Sequence, residues 1–414
     1  MVLSIQMKGL ILMLHFSAIA SYMIFKKSLI SLAIGGFGIG LTEFVMMGIL
    51  PDLAKDFNIT IPEAGHFISA YAIGVMIGAP ILVMIAGNFP PKKILVALMM
   101  AFTVFNGLSI FAPSYELMMV TRLLSGLPHG AFFGVGAVVA SRLVDKSKEA
   151  SAVAMMLGGL TIANIFGIPL GTYVGHNISW RLTFAMVAFV GLLAITSIYF
   201  WMPNLEKRAK TNPLNDLRVF KNVEPWLILG ITAIGTGGFF AWYSYVTPLL
   251  TEVSGFEDTG LTIVGILALA GLGMTFGNFA GGKLADVVSP AKATAVLLAI
   301  MGLCLLGVSF AAESQVLTLV MVFVTGFFAF STASPIQMLM INASKGSEML
   351  ASAANQAGFN LGNAIGAFLG GLPIAAGLGY TSPEWVGAGL AYSGVVITLI
   401  ILIRRNRNSK AAAV

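Results

Sequence analysis

The sequence predicts an all-α membrane protein with twelve transmembrane helices arranged as two six-helix halves. Of its 414 residues, 57% are hydrophobic and only 10% are charged, whereas soluble domains carry about 25% charged residues. Apolar blocks of about 20 residues recur along the chain, and each is long enough to cross a hydrocarbon core about 30 Å thick. The alternating segments of about ten residues that are typical of a membrane β-barrel are not found.

Twelve of the apolar blocks are predicted to be spanning helices. In order, they cover residues 28–50, 65–86, 93–112, 117–140, 150–174, 181–202, 225–249, 260–281, 291–312, 315–338, 349–371 and 385–403. An even number of spans places both termini on the same side of the membrane.

Lysine and arginine residues are divided unequally between the two sides that these helices define. One side carries nineteen of the 23, and the opposite side carries only Lys55 and Arg181. Arg122 lies inside a span and Lys8 lies before the first span. Because loops rich in Lys and Arg stay in the cytoplasm, both termini are expected to be cytoplasmic, in a multi-pass protein of the cell inner (plasma) membrane.

The longest hydrophilic stretch between two spans divides the chain into halves. We expect an N-terminal six-helix bundle at residues 28–202, a cytoplasmic linker at 203–224, a C-terminal six-helix bundle at 225–403 and a cytoplasmic tail at 404–414. Residues 1–27 form a leader whose basic residue, short apolar run and small residues resemble a signal peptide. This leader is expected to lie outside the fold.

Glu43 is the one acid in the apolar run GFGIGLTEFVMMGIL, residues 36–50. It is predicted about 12 Å from the outer end of the first span. A charge at that depth costs several kcal/mol unless it faces a cavity, pairs with a cation or takes up a proton. Because burial disfavours the ionised form of a carboxyl group, Glu43 is a candidate proton carrier. The alternative is a neutral or paired glutamate that only holds helices together.

Arg122 is predicted at a similar depth, about 9 Å from the outer end of the fourth span. A guanidinium group stays charged and needs an acid, carbonyl groups or water nearby. The similar depths favour a pairing of Arg122 with Glu43, direct or through water, which a substrate could perturb. The alternative is an arginine that only packs helices together.

The eleventh span carries amide side chains on one face, at Gln356, Asn360 and Asn363. Amides are disfavoured in lipid, so this face is expected to line a cavity and bind substrate, although hydrogen bonds between helices would account for the same residues. Trp242 is also a candidate substrate contact. The alternative is that it anchors the membrane interface, where aromatic side chains are common. The other candidate substrate contacts are Tyr71, Asn164, Tyr243 and Gln337.

Several motifs resemble those of the major facilitator superfamily. RLLSGLPHG, residues 122–130, resembles its fourth-helix R-x-x-x-G motif, and GKLAD, residues 282–286, resembles its G-x-L-A-D loop signature. ANIFGIPLGTYVG, residues 163–175, resembles the fifth-helix Gly-Pro motif of the superfamily's drug/proton antiporters. From about Met23 onward, nearly the full chain is similar to the AraJ-like branch, a sugar-efflux and drug-efflux-like group.

This resemblance implies two six-helix pseudo-repeat bundles around a central cavity, alternating access and proton-coupled export. It also implies that Arg122 matters for coupling. The loop between the second and third spans reads GNFPPKK and lacks the acid expected there, which leaves any gating role to the second loop motif. The residues to which the motifs assign conformational or antiport roles are Gly126, Gly130, Gly167, Pro169, Gly171, Gly282 and Asp286.

The sequence therefore predicts a secondary active transporter and not an enzyme, with proton-coupled efflux of a small polar or amphipathic molecule such as a drug or a sugar. We expect a monomer in the lipid bilayer with no nucleic-acid partner. No metal, nucleotide or organic cofactor is implied, because the histidines are scattered and the P-loop-like GNFAGGK lacks the following Ser or Thr. The alternatives are a proton-independent sugar or nucleoside uniporter or importer and, in another class, a transport-dead membrane sensor.

Overall fold

In the computed structural model, helix follows helix along almost the whole chain. The structure describes residues 26–86, 89–145, 149–206, 217–257, 260–345 and 347–411. The predicted leader, apart from its last two residues, and the middle of the predicted linker therefore lie outside the described residues.

The N-terminal half contains six spans. They are built from α1 (Lys26–Gly48), the short α2 (Leu50–Phe57), α3 (Ile61–Ala86), α4 (Pro91–Ile110), α5 (Tyr115–Arg142), α6 (Glu149–Ile162), a first π-helical segment (Ala163–Gly167), α7 (Ile168–Val174), a second π-helical segment (Gly175–Ser179) and α8 (Trp180–Trp201). The fifth span consists of α6, the first π-helical segment and α7.

The C-terminal half repeats this number of spans. It begins with a 3₁₀ turn (Leu217–Lys221) and continues with α9 (Val223–Gly230), a third π-helical segment (Ile231–Gly235), α10 (Gly237–Tyr243), α11 (Val246–Glu252), α12 (Gly260–Val287), α13 (Pro290–Ala311), α14 (Gln315–Ser331), α15 (Ala333–Ala343), α16 (Glu348–Ala375) and α17 (Ser382–Ala411). The seventh span runs from α9 to α11, and the tenth combines α14 and α15.

Ten helical stretches among the described residues are long and apolar enough to cross a membrane. One of them, Met155–Trp201, is 47 residues long and contains both the fifth and the sixth span. The amide-bearing helix α16 is not among these ten, because its asparagines lower its hydropathy. It is nevertheless 28 residues long, which is enough to cross the membrane, and it supplies the remaining span. The prediction of an all-α protein with twelve spans is confirmed.

The two halves contact each other most closely towards one end, which we call the α2 end because it contains α2 and residues 376–381. There α3 packs against α16, and α7 packs against α12. Thr247 Oγ1 donates to the carbonyl oxygen of Met47 (2.8 Å), and Ser69 Oγ donates to that of Ala364 (3.1 Å). The opposite end, which contains residues 203–206 and 217–221, is called the linker end.

Neighbouring helices within each half approach backbone to backbone at glycines. A Cβ atom added at Gly126 would overlap the carbonyl oxygen of Tyr71, and one added at Gly277 would overlap that of Phe327. Real Cβ atoms do not come so near to a backbone atom, so only glycine allows α3 to pack on α5 and α12 to pack on α14 at this distance.

Gly277→Ala is expected to destabilise the protein by about 1–3 kcal/mol, because the new methyl group overlaps backbone that cannot move without shifting a helix. Thermal unfolding of the detergent-solubilised protein measures the effect. Gly265→Ala is the matched control in the same helix, since no heavy atom lies within 4 Å of its added Cβ. Equal unfolding temperatures for the two variants would contradict the close approach of α12 and α14.

Candidate functional site

Arg122 of α5 is completely buried, and its guanidinium group is held by two other helices. Nη1 donates to Thr42 Oγ1 (3.0 Å) and Nη2 to the Thr42 carbonyl oxygen (3.2 Å) on α1. Nε donates to the carbonyl oxygen of Phe67 on α3 (3.4 Å). The guanidinium Cζ also lies 4.4 Å from the ring centroid of Tyr71 and 5.8 Å from that of Phe184.

Thr42 extends this polar network to a fourth helix. Its Oγ1 donates to Asn106 Oδ1 (2.6 Å), and Asn106 Nδ2 donates to the carbonyl oxygen of Phe102 within α4 (2.8 Å). The network therefore connects α1, α3, α4 and α5 inside an otherwise apolar half. Thr42 was missed from the sequence, although its position directly before the one acid of the span was an available signal.

Glu43 follows Thr42 on α1 but points to a different environment. Its side chain is 3% exposed, and Oε1 has no hydrogen-bond partner among the described residues. The amide of Asn363, on α16 of the other half, lies beside the carboxyl group, although neither amide atom meets hydrogen-bond geometry. Glu43 is therefore placed where the two halves meet.

The direct form of the predicted pairing between Glu43 and Arg122 is not present in this conformation. Among the residues that the structure describes, no ion pair joins the two side chains. The physical reason is that Thr42 and Phe67 offer acceptors to all three donor nitrogens of the guanidinium group. The two charged groups still interact electrostatically over a longer distance.

The asparagine side chains of α16 lie in two different environments. Asn360 and Asn363 are completely buried, and the described residues offer no partner to Asn360 Oδ1 or to either amide atom of Asn363. Asn355, by contrast, donates to Gln337 Oε1 (2.7 Å) and accepts from Thr232 Oγ1 (2.6 Å). Bonding between helices is therefore present at Asn355, while the next two turns carry polar atoms that remain unsatisfied.

Gln337 and Gln356 lie nearer to the linker end. Gln337 on α15 also donates to Ser352 Oγ (2.5 Å), so both ends of its amide bond to α16. Gln356 is partly exposed, and its backbone carbonyl accepts from Asn360 Nδ2 (3.1 Å). A role of these two glutamines in substrate binding stays a prediction.

The Gly-Pro motif of the fifth span contains a widened, π-helical turn. Pro169 has no backbone donor, and its ring conflicts with the carbonyl group four residues earlier, which belongs to Ile165 in the first π-helical segment. Asn164 lies in the same segment, and its Oδ1 is buried without a partner among the described residues. Segments of this kind often occur at functional sites.

The same motif packs closely against α1. A Cβ atom at Gly167 would lie 3.0 Å from the ring of Phe37, and one at Gly171 would lie 2.8 Å from a methyl group of Val45. The glycine face of the Gly-Pro motif is therefore directed at the helix that carries Glu43.

An aromatic cluster crosses the boundary between the halves next to Glu43. The ring of Phe44 lies 6.3 Å from Phe240 in a stacked arrangement, 6.3 Å from Tyr243 and 6.4 Å from Phe330. Phe44 belongs to the N-terminal half and the other three rings to the C-terminal half. Phe44 was missed from the sequence, because phenylalanine is common in every span.

Trp242 is also part of this cluster. It is 1% exposed, and its ring packs against Phe239 and Tyr243, with both centroids 5.8 Å away. The alternative that Trp242 anchors the membrane interface is therefore wrong. Its role as a substrate contact, like that of Tyr243, stays a prediction.

One remaining substrate-contact candidate and two remaining motif residues lie in separate places. Tyr71 is 1% exposed inside the N-terminal half, beneath Arg122. Gly282 faces Ser334 of α15, whose Oγ lies 3.8 Å from the position of an added Cβ. Asp286 lies in α12, and its side chain falls outside the part of the chain that the structure describes.

Comparison with known proteins agrees with this architecture. The profile described as Major Facilitator Superfamily matches residues 32–354. The chain belongs to the Major Facilitator Superfamily. AraJ of Escherichia coli (strain K12), named as a transporter, is 39% identical over 387 residues, which are 94% of this chain and 97% of AraJ. The predicted AraJ-like branch is thereby confirmed.

Two further likenesses are more distant. A chloramphenicol resistance protein of Streptomyces lividans is 27% identical over 380 residues, which are 90% of this chain and 94% of that protein. A bacterial homologue of the human lysosomal transporter Spinster, solved in an inward-facing and unoccupied conformation, has a TM-score of 0.72 at 14% identity. That match covers 91% of this chain and 95% of the other and supports the fold alone. The protein is a multi-pass membrane transporter of small molecules and not an enzyme.

Thr42→Val is expected to destabilise the protein by about 2 kcal/mol, because it leaves a buried guanidinium donor and Asn106 without their shared partner. Thermal unfolding in detergent measures the change. Thr42→Ser keeps the hydroxyl group and serves as the control, with a much smaller loss. A valine variant as stable as the serine variant would contradict the proposed importance of this network.

Proposed function

We propose that this protein is an antiporter that exports a small polar or amphipathic molecule in exchange for protons. The single observation that carries the proposal is the buried Glu43 carboxyl group, whose Oε1 has no hydrogen-bond partner in the described part of the chain and which lies where the two halves meet. An ionised carboxylate without a partner is among the costliest groups to bury in a membrane protein. Proton uptake removes that charge and so favours the conformation in which the halves close over Glu43.

Alternating access then connects the proton to the movement of the halves. In the present conformation, contacts such as Thr247 with Met47 and the Phe44 cluster hold the α2 end together. When the halves separate there, water reaches Glu43 and its proton can exchange with that side. Arg122 is held near the carboxyl group of Glu43. Its positive charge stabilises the ionised carboxylate when water or substrate also solvates that carboxylate.

The substrate chemistry follows from side chains on helices that pack against the other half. Asn164, Asn360 and Asn363 carry buried polar atoms that find no partner among the described residues, and such atoms suit the hydroxyl, amide or carbonyl groups of a ligand. The aromatic rings around Tyr243 suit its apolar part. Substrate that binds Asn363 changes the surroundings of the neighbouring carboxyl group, which couples binding to proton release. The name of the Streptomyces lividans relative supports a drug-like substrate.

The moving parts are the helices with close glycine contacts. We propose that α5 slides on α3 at Gly126 and Gly130, and that the Gly167–Gly171 segment bends at its widened turn. Gly282 and Asp286 at the linker end would take part in closing that side. In this proposal the protein works as a monomer in the inner membrane with both termini in the cytoplasm, and the linker joins the two six-helix bundles.

The test is transport by purified protein in proteoliposomes with an imposed pH gradient, using a panel of drugs and sugars. Wild-type protein is expected to accumulate at least one compound against its gradient and to lose this when the pH gradient is collapsed. Glu43→Gln should abolish the accumulation. Glu116→Gln, at an exposed acid of α5, is the control and should leave it unchanged.

Two outcomes would overturn the proposal. Transport that persists without a pH gradient and in Glu43→Gln would indicate a uniporter. Folded wild-type protein that moves no compound of the panel under any gradient would contradict drug or sugar efflux.

A further inference from the structure

We propose that Tyr71 and His129 are positioning residues that hold the Arg122 guanidinium group off the Glu43 carboxyl group and thereby set the pH at which Glu43 takes up a proton. This inference rests on the proposed function, because it concerns the same carboxyl group. It gives a role to His129, a completely buried histidine that the transport proposal does not use.

The first link is the contact between Tyr71 and Arg122. The guanidinium Cζ lies 4.4 Å from the centroid of the Tyr71 ring, and the ring of Phe184 lies 5.8 Å from the same atom. A desolvated cation over an aromatic face is attracted electrostatically by the ring. The ring of Tyr71 therefore favours the observed place of the guanidinium group over alternative positions.

The second link fixes the Tyr71 ring itself. Its hydroxyl group lies 3.1 Å from His129 Nδ1, so the ring is attached at its far end to α5, two turns from Arg122. His129 is in turn packed at 5.3 Å against the ring of Phe133. The phenol is held between two residues of one helix, which leaves it little freedom to rotate away from the guanidinium group.

The third link is the position of Glu43 relative to these groups. Arg122 donates twice to Thr42, the residue immediately before Glu43, and its guanidinium group is near enough to interact electrostatically with the Glu43 carboxyl group. A direct arginine partner favours the ionised carboxylate strongly, by about 1–3 pH units in proteins. An antiporter site held in the ionised form could not exchange its proton near neutral pH, so the displacement of Arg122 is functional.

The other groups around Glu43 cannot replace the effect of the Arg122 guanidinium group on its proton affinity. Among the described residues, the charged and titratable groups that act on it are Arg122 of α5 and Tyr71 of α3. The helix α16 contributes the neutral amide of Asn363, and α10 contributes Tyr243 against the adjacent Phe44. Among these neighbours, Arg122 is therefore the one positive charge whose position can change the proton affinity of Glu43.

The chain contains a matched pair for comparison. His66 Nδ1 lies 2.8 Å from the hydroxyl group of Tyr115, near the α2 end and partly exposed. This second tyrosine–histidine pair has the same chemistry but is not stacked on an arginine. Removal of its hydroxyl group by Tyr115→Phe controls for the general effect of losing such a bond.

The experiment is a proton titration of detergent-solubilised protein without substrate, in which the Glu43-dependent part is obtained by subtracting the Glu43→Gln form of each variant. Tyr71→Leu, which removes the aromatic face, is expected to move the midpoint of this part by about one pH unit to lower pH. Tyr71→Phe and His129→Asn, which break only the second link, should move it in the same direction by less. Tyr115→Phe should leave it unchanged.

Thermal unfolding identifies variants that fold, and Tyr71→Phe and His129→Asn test the inference if Tyr71→Leu does not. Folded variants with the wild-type midpoint would overturn the inference while leaving proton uptake by Glu43 intact. A wild-type titration without any Glu43-dependent part would instead overturn the proposed function.

Discussion

The structure depends on how a permanent positive charge is accommodated inside an apolar helix bundle. Arg122 meets this constraint with backbone carbonyl groups of α1 and α3 and the hydroxyl group of Thr42 rather than with a carboxylate. Because carbonyl groups carry no net charge, the arginine fixes the helices without neutralising the acid next to it. The consequence is that Glu43 Oε1 finds no hydrogen-bond partner among the described residues, and in the proposed mechanism the carboxyl group responds to water, proton or substrate.

The location of that acid connects the network to movement. Glu43 and Phe44 are consecutive residues, so one turn of α1 presents a carboxyl group to Asn363 and a ring to the aromatic cluster of the C-terminal half. In the proposed mechanism, a change of charge at Glu43 therefore occurs within the contact that opens and closes. In the proposed mechanism, the glycine contacts and the widened turn before Pro169 supply the helices that shift.

Most of the fold could be predicted from the sequence, because span length and the distribution of basic residues are direct consequences of the bilayer. The third span was predicted at residues 93–112 and is observed at Pro91–Ile110. The short α2 was missed, since a helix of eight residues that is followed by Asn58 in a left-handed conformation gives no membrane signal. The candidate site was only partly predictable. Matching depths placed Arg122 near Glu43, but depth contains no information on the direction of a side chain or on carbonyl acceptors.

Infrared difference spectroscopy of the purified protein tests the central claim most directly, because the carbonyl stretch of a protonated carboxyl group reports Glu43 without relying on transport. The account predicts a band that appears as the pH is lowered, is absent in Glu43→Gln and decreases when a transported compound is added at constant pH. A band that is unchanged in Glu43→Gln, or a wild-type spectrum without any pH-dependent carboxyl band, would contradict it.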